Sequence, residues 1–136
     1  YFSDSTDGPV PHRGGNRGEI RGPAPASAEQ RASLASLYCA LMVSEQLSSI
    51  GSTHDIIVDG PFSENLVFLK VLAALRPTQK LFASDLRDGT TAGAACLGLM
   101  RGGELPHVPL SLNRVLPEKL AGLREYAAAW LSLVHR

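Results

Sequence analysis

Apolar side chains recur at helical spacing along one early stretch of the chain: Leu34, Leu37, Tyr38, Leu41 and Met42 fall at i, i+3, i+4, i+7 and i+8. That spacing is one face of an α-helix. Just upstream, Ser27-Ala28-Glu29-Gln30 has the form of a capping box. In such a box the Ser27 hydroxyl accepts from the Gln30 amide, and the Gln30 side chain reaches back to the Ser27 amide. The pattern predicts a helix from Ser27 to about Ile50, ended by Gly51-Ser52-Thr53. Tyr38 and Met42 read as core residues of that helix.

The period then changes. Ile56-Ile57-Val58 is a β-branched run without polar alternation, which predicts a strand covered on both faces, as in a parallel sheet. Asp59-Gly60-Pro61 ends it. Ser63 can cap a helix that begins near Glu64 and stops before Pro77, since the residue preceding a proline avoids helical angles. Leu66, Val67, Phe68, Leu69, Val71, Leu72 and Leu75 make this helix apolar nearly all round, so it should lie deep. Lys80–Ser84 is a second strand, and strand–helix–strand at this spacing implies a right-handed parallel crossover.

After a polar loop, Asp85 to Gly89, Thr90 or Thr91 can cap a helix over about Ala92 to Met100. Its small-residue start, Ala92-Gly93-Ala94-Ala95, predicts close approach of another backbone or a ligand, because glycine has no helical advantage of its own. Residues 101–116 read as loop. Pro117 suits the first turn of a last helix to about His135, with Leu120, Leu123, Tyr126 or Ala127, Trp130, Leu131 and Val134 on its apolar face. Residues 1–26 are rich in glycine and hold four of the nine prolines, so they read as a loop. Gly18-Glu19-Ile20-Arg21-Gly22 could form a short edge strand there, with Ile20 pointing inward.

Composition narrows the function classes. A chain of 136 residues with 44% hydrophobic residues fits one ordinary α/β domain. Thirteen basic and thirteen acidic side chains cancel, which argues against a nucleic-acid or membrane-surface protein governed by long-range attraction. No apolar run approaches the roughly 20 residues of a membrane span, and the start Tyr1-Phe2-Ser3-Asp4 lacks the basic region of a signal peptide. Cys39 and Cys96 lack CxxC spacing and read as buried free thiols, suited to a reducing cytoplasm. His12, His54, His107 and His135 are scattered, so neither a catalytic triad nor an HExxH metal site is suggested. Asp59 and Asp85 read as solvated acids at strand ends. A Rossmann-like cofactor turn after Ile56–Val58 would need a GxGxxG that does not follow.

The turn at Val58-Asp59-Gly60-Pro61-Phe62-Ser63-Glu64-Asn65, the apolar helix and strand behind it, and Gly89-Thr90-Thr91-Ala92-Gly93-Ala94-Ala95 together resemble the carboxy-terminal domain of FGGY carbohydrate kinases. The resemblance covers about residues 17–100 and rests on the order and spacing of these pieces. It implies a ribonuclease H-like, actin-like ATPase fold: a sheet flanked by helices, part of a larger two-domain protein. The division it suggests is a Gly/Pro-rich segment 1–26 contacting the rest of the parent, then a kinase-like domain 27–136. The activity implied is transfer of the ATP γ-phosphate to a sugar hydroxyl with Mg2+, on a ketose such as fuculose, rhamnulose or xylulose. The implied partners are ATP, a monosaccharide and the remainder of the parent kinase, with room for a homodimer.

In that family a Gly-Gly-x-x-x-Asn turn meets the adenine and ribose of ATP. Carried over, it names Gly60, Pro61 and Asn65 as the nucleotide-binding residues. Pro61 departs from the pattern, having no N–H to offer, and Phe62 is bulky where the family is usually small. Phe62 could stack on a base or fill the base's space. The family's catalytic Asp and phosphate loops precede the region that matches here, so no catalytic residue is assigned and the 136-residue chain is expected to be inactive alone. The competing reading is a non-catalytic interaction module of actin-like fold, docking through exposed helices such as the last one.

Overall fold

A computed structural model describes residues 20–134. The chain divides into two compact units: Thr53–Glu118 is one, and the other joins the segment ending at Ser52 to the segment beginning at Lys119.

The second of these units carries two helices. Helix α1 spans Ala28–Ser49, and Ser27 caps it by accepting from the Gln30 amide at 3.2 Å. The reach-back of the capping box lands one residue further out than expected, with Gln30 Oε1 accepting from the Ala26 amide at 2.7 Å. A hydrogen bond with Ser27 also holds the Glu29 carboxyl below its usual range. Of the predicted apolar face, Leu41 is buried and Leu34, Leu37, Tyr38 and Met42 are half-buried, while Ser36 and Ala40 are buried beside them. Helix α4 covers Leu123–Val134. It starts later than Pro117 suggested, because Gly122 takes a left-handed φ of 74° and breaks the segment ahead of Leu123. Leu123 is buried and Ala127, Trp130 and Leu131 half-buried, so the face runs through Ala127 and leaves Tyr126 exposed. Tyr38 meets Trp130 edge-on with ring centroids 6.3 Å apart. Burial, and then the neighbouring Cys39, push the Tyr38 phenol up to about 12.

The unit Thr53–Glu118 is built on a three-stranded sheet in the order β1-β2-β3. Strand β1 is Ile56–Val58, β2 is Leu81–Ser84 and β3 is Leu112–Val115. Helix α2, Leu66–Leu75, joins β1 to β2, which run parallel with Ile56 opposite Leu81 and Val58 opposite Ala83. Helix α3, Gly89–Leu99, follows β2. Strand β3 then returns antiparallel, with Leu81 opposite Val115 and Ser84 opposite Leu112. Its presence corrects the expectation of loop throughout 101–116. Asp85 helps to hold it: the Asp85 amide donates to the Ser111 carbonyl at 3.1 Å, and the Asp85 carboxylate accepts from the Ser111 amide at 3.0 Å.

The core of this unit is Phe68, Leu69, Val71, Leu72 and Ala73 of α2 together with Ile56, Leu81 and Ala83 of the sheet. Leu66 and Val67 are exposed, so α2 buries one face rather than its whole girth. Ile57 is 55% exposed, and the two-sided covering expected for β1 holds on the Ile56 side alone among the described residues. Gln79, buried, fastens the start of β1 to the end of α2: its Nε2 donates to the His54 carbonyl at 2.5 Å and its Oε1 accepts from Arg76 Nε at 2.5 Å. Lys70 and Glu118 form an exposed ion pair at 2.9 Å, of a kind that contributes little to stability.

Ile20 is 59% exposed and outside any strand, and Gly18 and Glu19 of the suggested edge strand lie outside the described residues. No described helix is long and apolar enough to cross a membrane. Both cysteines are free and half-buried.

Candidate functional site

Parallel strands place their following loops side by side, and a ligand crevice forms outside their carboxyl ends. Here β1 and β2 deliver two such loops. The first begins at Asp59, runs through a 3-10 turn, Gly60–Glu64, and reaches Asn65. The second runs from Asp85 to Asp88, ahead of α3.

Gly60 is the pivot of the first loop. Its φ is 66°, in the left-handed region that glycine enters without strain. Its amide donates to the Leu86 carbonyl at 3.2 Å, which ties the first loop to the second. A Cβ on Gly60 would stand 3.7 Å from the Arg87 carbonyl oxygen. Pro61 follows at the start of the 3-10 turn, where a missing N–H removes no hydrogen bond that the turn needs. Ser63, expected to cap the following helix, instead donates from its hydroxyl to the Gly60 carbonyl at 2.9 Å and closes the turn.

The cap of α2 is Asn65, whose Oδ1 accepts from the Phe68 amide at 3.0 Å. Gly60, Pro61 and Asn65, named from the sequence, thus lie along one loop, and the duty that the structure gives Asn65 is the cap of α2. Phe62, 44% exposed, leans on buried Phe68 with ring centroids 4.8 Å apart and planes tilted by 56°. One side of its ring is therefore committed to the core.

The second loop is capped by Asp88 rather than by Thr90 or Thr91. The Thr91 amide donates to its Oδ1 at 2.9 Å and the Thr91 hydroxyl to its Oδ2 at 2.5 Å. These bonds hold the Asp88 carboxyl below its usual range, the Thr91 hydroxyl first and its amide second. A folded-state pKa below the unfolded one means stability that is present above the ordinary carboxylate pKa and lost as pH falls through the folded value. The protection of the Thr91 amide, its exchange measured against the intrinsic rate at each pH, should therefore fall on acidification through that range. Asparagine caps about as well as aspartate, so Asp88→Asn should flatten the pH dependence; an unchanged profile in that variant would assign it to another group.

Acidic groups dominate the rim. Asp59, Asp85 and Asp88 lie at the strand ends, and Glu64 is matched by Arg87 at 3.4 Å in an exposed pair. Among the described residues no group of three or more His, Cys, Asp or Glu could hold a metal ion. Among the described residues no other backbone approaches Gly93: nothing lies within 4 Å of a Cβ built on it, and α3 has no buried residue. A close approach occurs at Gly89 instead, against the Asp59 side chain. Asp59, read from the sequence as a solvated acid, is exposed but has this neighbour; only the tertiary fold reveals it.

Residues 3–106 match the model of a protein family described as carbohydrate kinase FGGY, C-terminal domain. Among solved structures, a carbohydrate kinase from Novosphingobium aromaticivorans is similar at 33% identity and a TM-score of 0.62. The similarity covers 81% of this chain and 22% of that one, so the chain spans less than a quarter of that kinase's length. No curated protein matches.

Proposed function

The chain belongs to the FGGY carbohydrate kinases, as part of their C-terminal domain, and from this we propose that it forms the adenosine-side wall of the nucleotide cleft in an ATP-dependent sugar kinase. The observation that carries the reading is the Gly60 turn, left-handed, at the carboxyl end of a parallel strand and hydrogen-bonded to the loop of the next one. Such a turn lets a ligand approach backbone closely.

The charge around it supports the adenosine end rather than the phosphates. Asp59, Asp85 and Asp88 would repel a triphosphate, and Asp88 already fills the α3 start, where a phosphate would otherwise be welcome. Gly60 and Pro61 would border the nucleoside, Asn65 would offer its amide to it, and the open side of the Phe62 ring would face the base. ATP and a divalent metal belong to the reaction at the level of the family; the metal supplies charge neutralisation on the phosphates, and no residue of this chain is assigned to it. The phosphoryl acceptor in our reading is the hydroxyl of a ketose such as fuculose, rhamnulose or xylulose. The sheet would be one piece of a ribonuclease H-like, actin-like core completed by the remainder of the parent, in the cytoplasm, where free Cys39 and Cys96 are at home.

The test separates the two duties of Asn65 in the intact protein. Asn65→Ala should raise the KM for ATP and also cost about 1 kcal/mol of stability through the lost cap. Asn65→Asp keeps the cap acceptor and should raise the KM for ATP with the melting temperature held. A wild-type KM in Asn65→Asp would remove Asn65 from the nucleotide site. Absence of ATP-dependent ketose phosphorylation by the intact wild-type protein would overturn the kinase reading and favour an interaction module.

A further inference from the structure

We propose that Phe62 is a base-stacking residue that takes adenine and guanine nucleotides alike. This role rests on the reading of the Gly60 turn as the nucleotide-side wall, and it gives that wall a ligand class: purine nucleotides, held by the face of the base.

Phe62 stands in the middle of the 3-10 turn Gly60–Glu64. Buried Phe68 backs its ring at 4.8 Å, with the planes tilted by 56°. The ring thus has one supported side, while 44% of the residue remains open. An apolar surface already held by the core costs little to order when a second ring lies on it. The polar groups beside it are turned inward. The Gly60 amide donates to the Leu86 carbonyl at 3.2 Å, and the Asn65 amide donates to the Phe62 carbonyl at 3.2 Å. Pro61 has no N–H, and the amides between are engaged in the i→i+3 bonds of the turn. The Ser63 hydroxyl donates to the Gly60 carbonyl at 2.9 Å. The backbone donors of residues 60–65 are therefore spent within the two loops, and at Phe62 a base meets a ring face rather than a hydrogen-bond pattern. Adenine and guanine differ at their edges, where one carries an amino donor and the other a carbonyl acceptor. Their faces are both π surfaces, and stacking tolerates either. The Phe62 ring adds the same affinity for both.

The test is made in the intact protein, by measuring Kd for ADP, GDP and ribose 5-diphosphate, which has no base. Phe62→Leu keeps an apolar side chain on Phe68 and removes the ring face. It should raise the Kd for ADP and for GDP by the same factor, about fivefold, at the low end for an aromatic–base stack. The Kd for ribose 5-diphosphate should stay within about twofold. If the ring only props the turn, its loss would shift the turn and weaken ribose 5-diphosphate as well, which would overturn the role. Factors for ADP and GDP that differ by more than about twofold would overturn it too. So would an unchanged Kd for ADP, or a lower one, the sign of a ring that occupies the base's space. Should Phe62→Leu fail to fold, Phe62→Trp decides by the same comparison: ADP and GDP should tighten together with ribose 5-diphosphate unchanged, and any other pattern overturns the role. A wild-type protein that binds none of the three would bring down the nucleotide-side reading itself. One that binds ADP no tighter than ribose 5-diphosphate would keep that reading and overturn the stack.

Discussion

Phe68→Ala should destabilise the protein by about 3–5 kcal/mol, the range for emptying a buried aromatic site. Phe68 is 3% exposed and lies on the buried face of α2, with Leu69 and Leu72. Its loss is larger than its volume alone would suggest, because Phe62 rests on its ring at 4.8 Å. Removing the support leaves Phe62 without an edge to lean on, and the 3-10 turn Gly60–Glu64 loses its only aromatic tie to the core among the described residues. Urea unfolding should show a lower midpoint at unchanged slope, since a smaller core with the same fold exposes nearly the same surface. Phe62→Ala, at a residue already 44% exposed, should cost less, about 0.5–1.5 kcal/mol from the lost ring pair. Equal losses for the two variants would mean that the core does not depend on Phe68 in the way its burial indicates.

Gly60 should give the second large effect, and a graded one. At φ 66° an L residue is strained, and the cost rises with branching at Cβ. Gly60→Asn should be tolerated best, because asparagine enters the left-handed region more readily than other side chains. Gly60→Ala should be worse, because alanine has no polar side chain to hydrogen-bond locally in that region. Gly60→Val should be worst, at about 1–3 kcal/mol of backbone strain, and should raise the KM for ATP by about 2- to 13-fold if half of that strain is relieved by moving the turn. The order Asn, Ala, Val in KM for ATP is the measurement. A flat series, or one that follows side-chain size without regard to φ, would show that the left-handed turn is not what binding needs.

Much of the fold could be read from the chain because its signals are local. Ser27 and Gln30 mark the start of α1, the β-branched run marks β1, and Pro77 follows the end of α2 closely. The parallel pairing of β1 and β2 follows from the connection between them. Strand β3 could not be read this way: Leu112-Asn113-Arg114-Val115 has no clear alternation, and it is a strand because β2 and the Asp85–Ser111 bonds hold it. The helix caps show a second kind of limit. Ser63 and Asn65 are both good caps, as are Asp88, Thr90 and Thr91. The choice of Asn65 and Asp88 was made by where the preceding turn delivers the chain. At the candidate site, the resemblance names Gly60, Pro61 and Asn65, which share one loop, whereas the Asp59–Gly89 contact joins residues from separate loops and carries no local signal.

The position of β1 has a consequence for misassembly. Among the described residues it is a terminal strand in the order β1-β2-β3, and Ile57 is exposed on it. Three consecutive aliphatic residues at a sheet margin are a template for unwanted pairing with other chains. The run is bracketed by Asp55 on one side and Asp59 on the other. Charges flanking a sticky strand act as gatekeepers, because a stacked copy would bring like carboxylates into register. Asp59 would then protect the nascent chain before the sheet is complete, and its replacement by a neutral residue would show in solubility on expression.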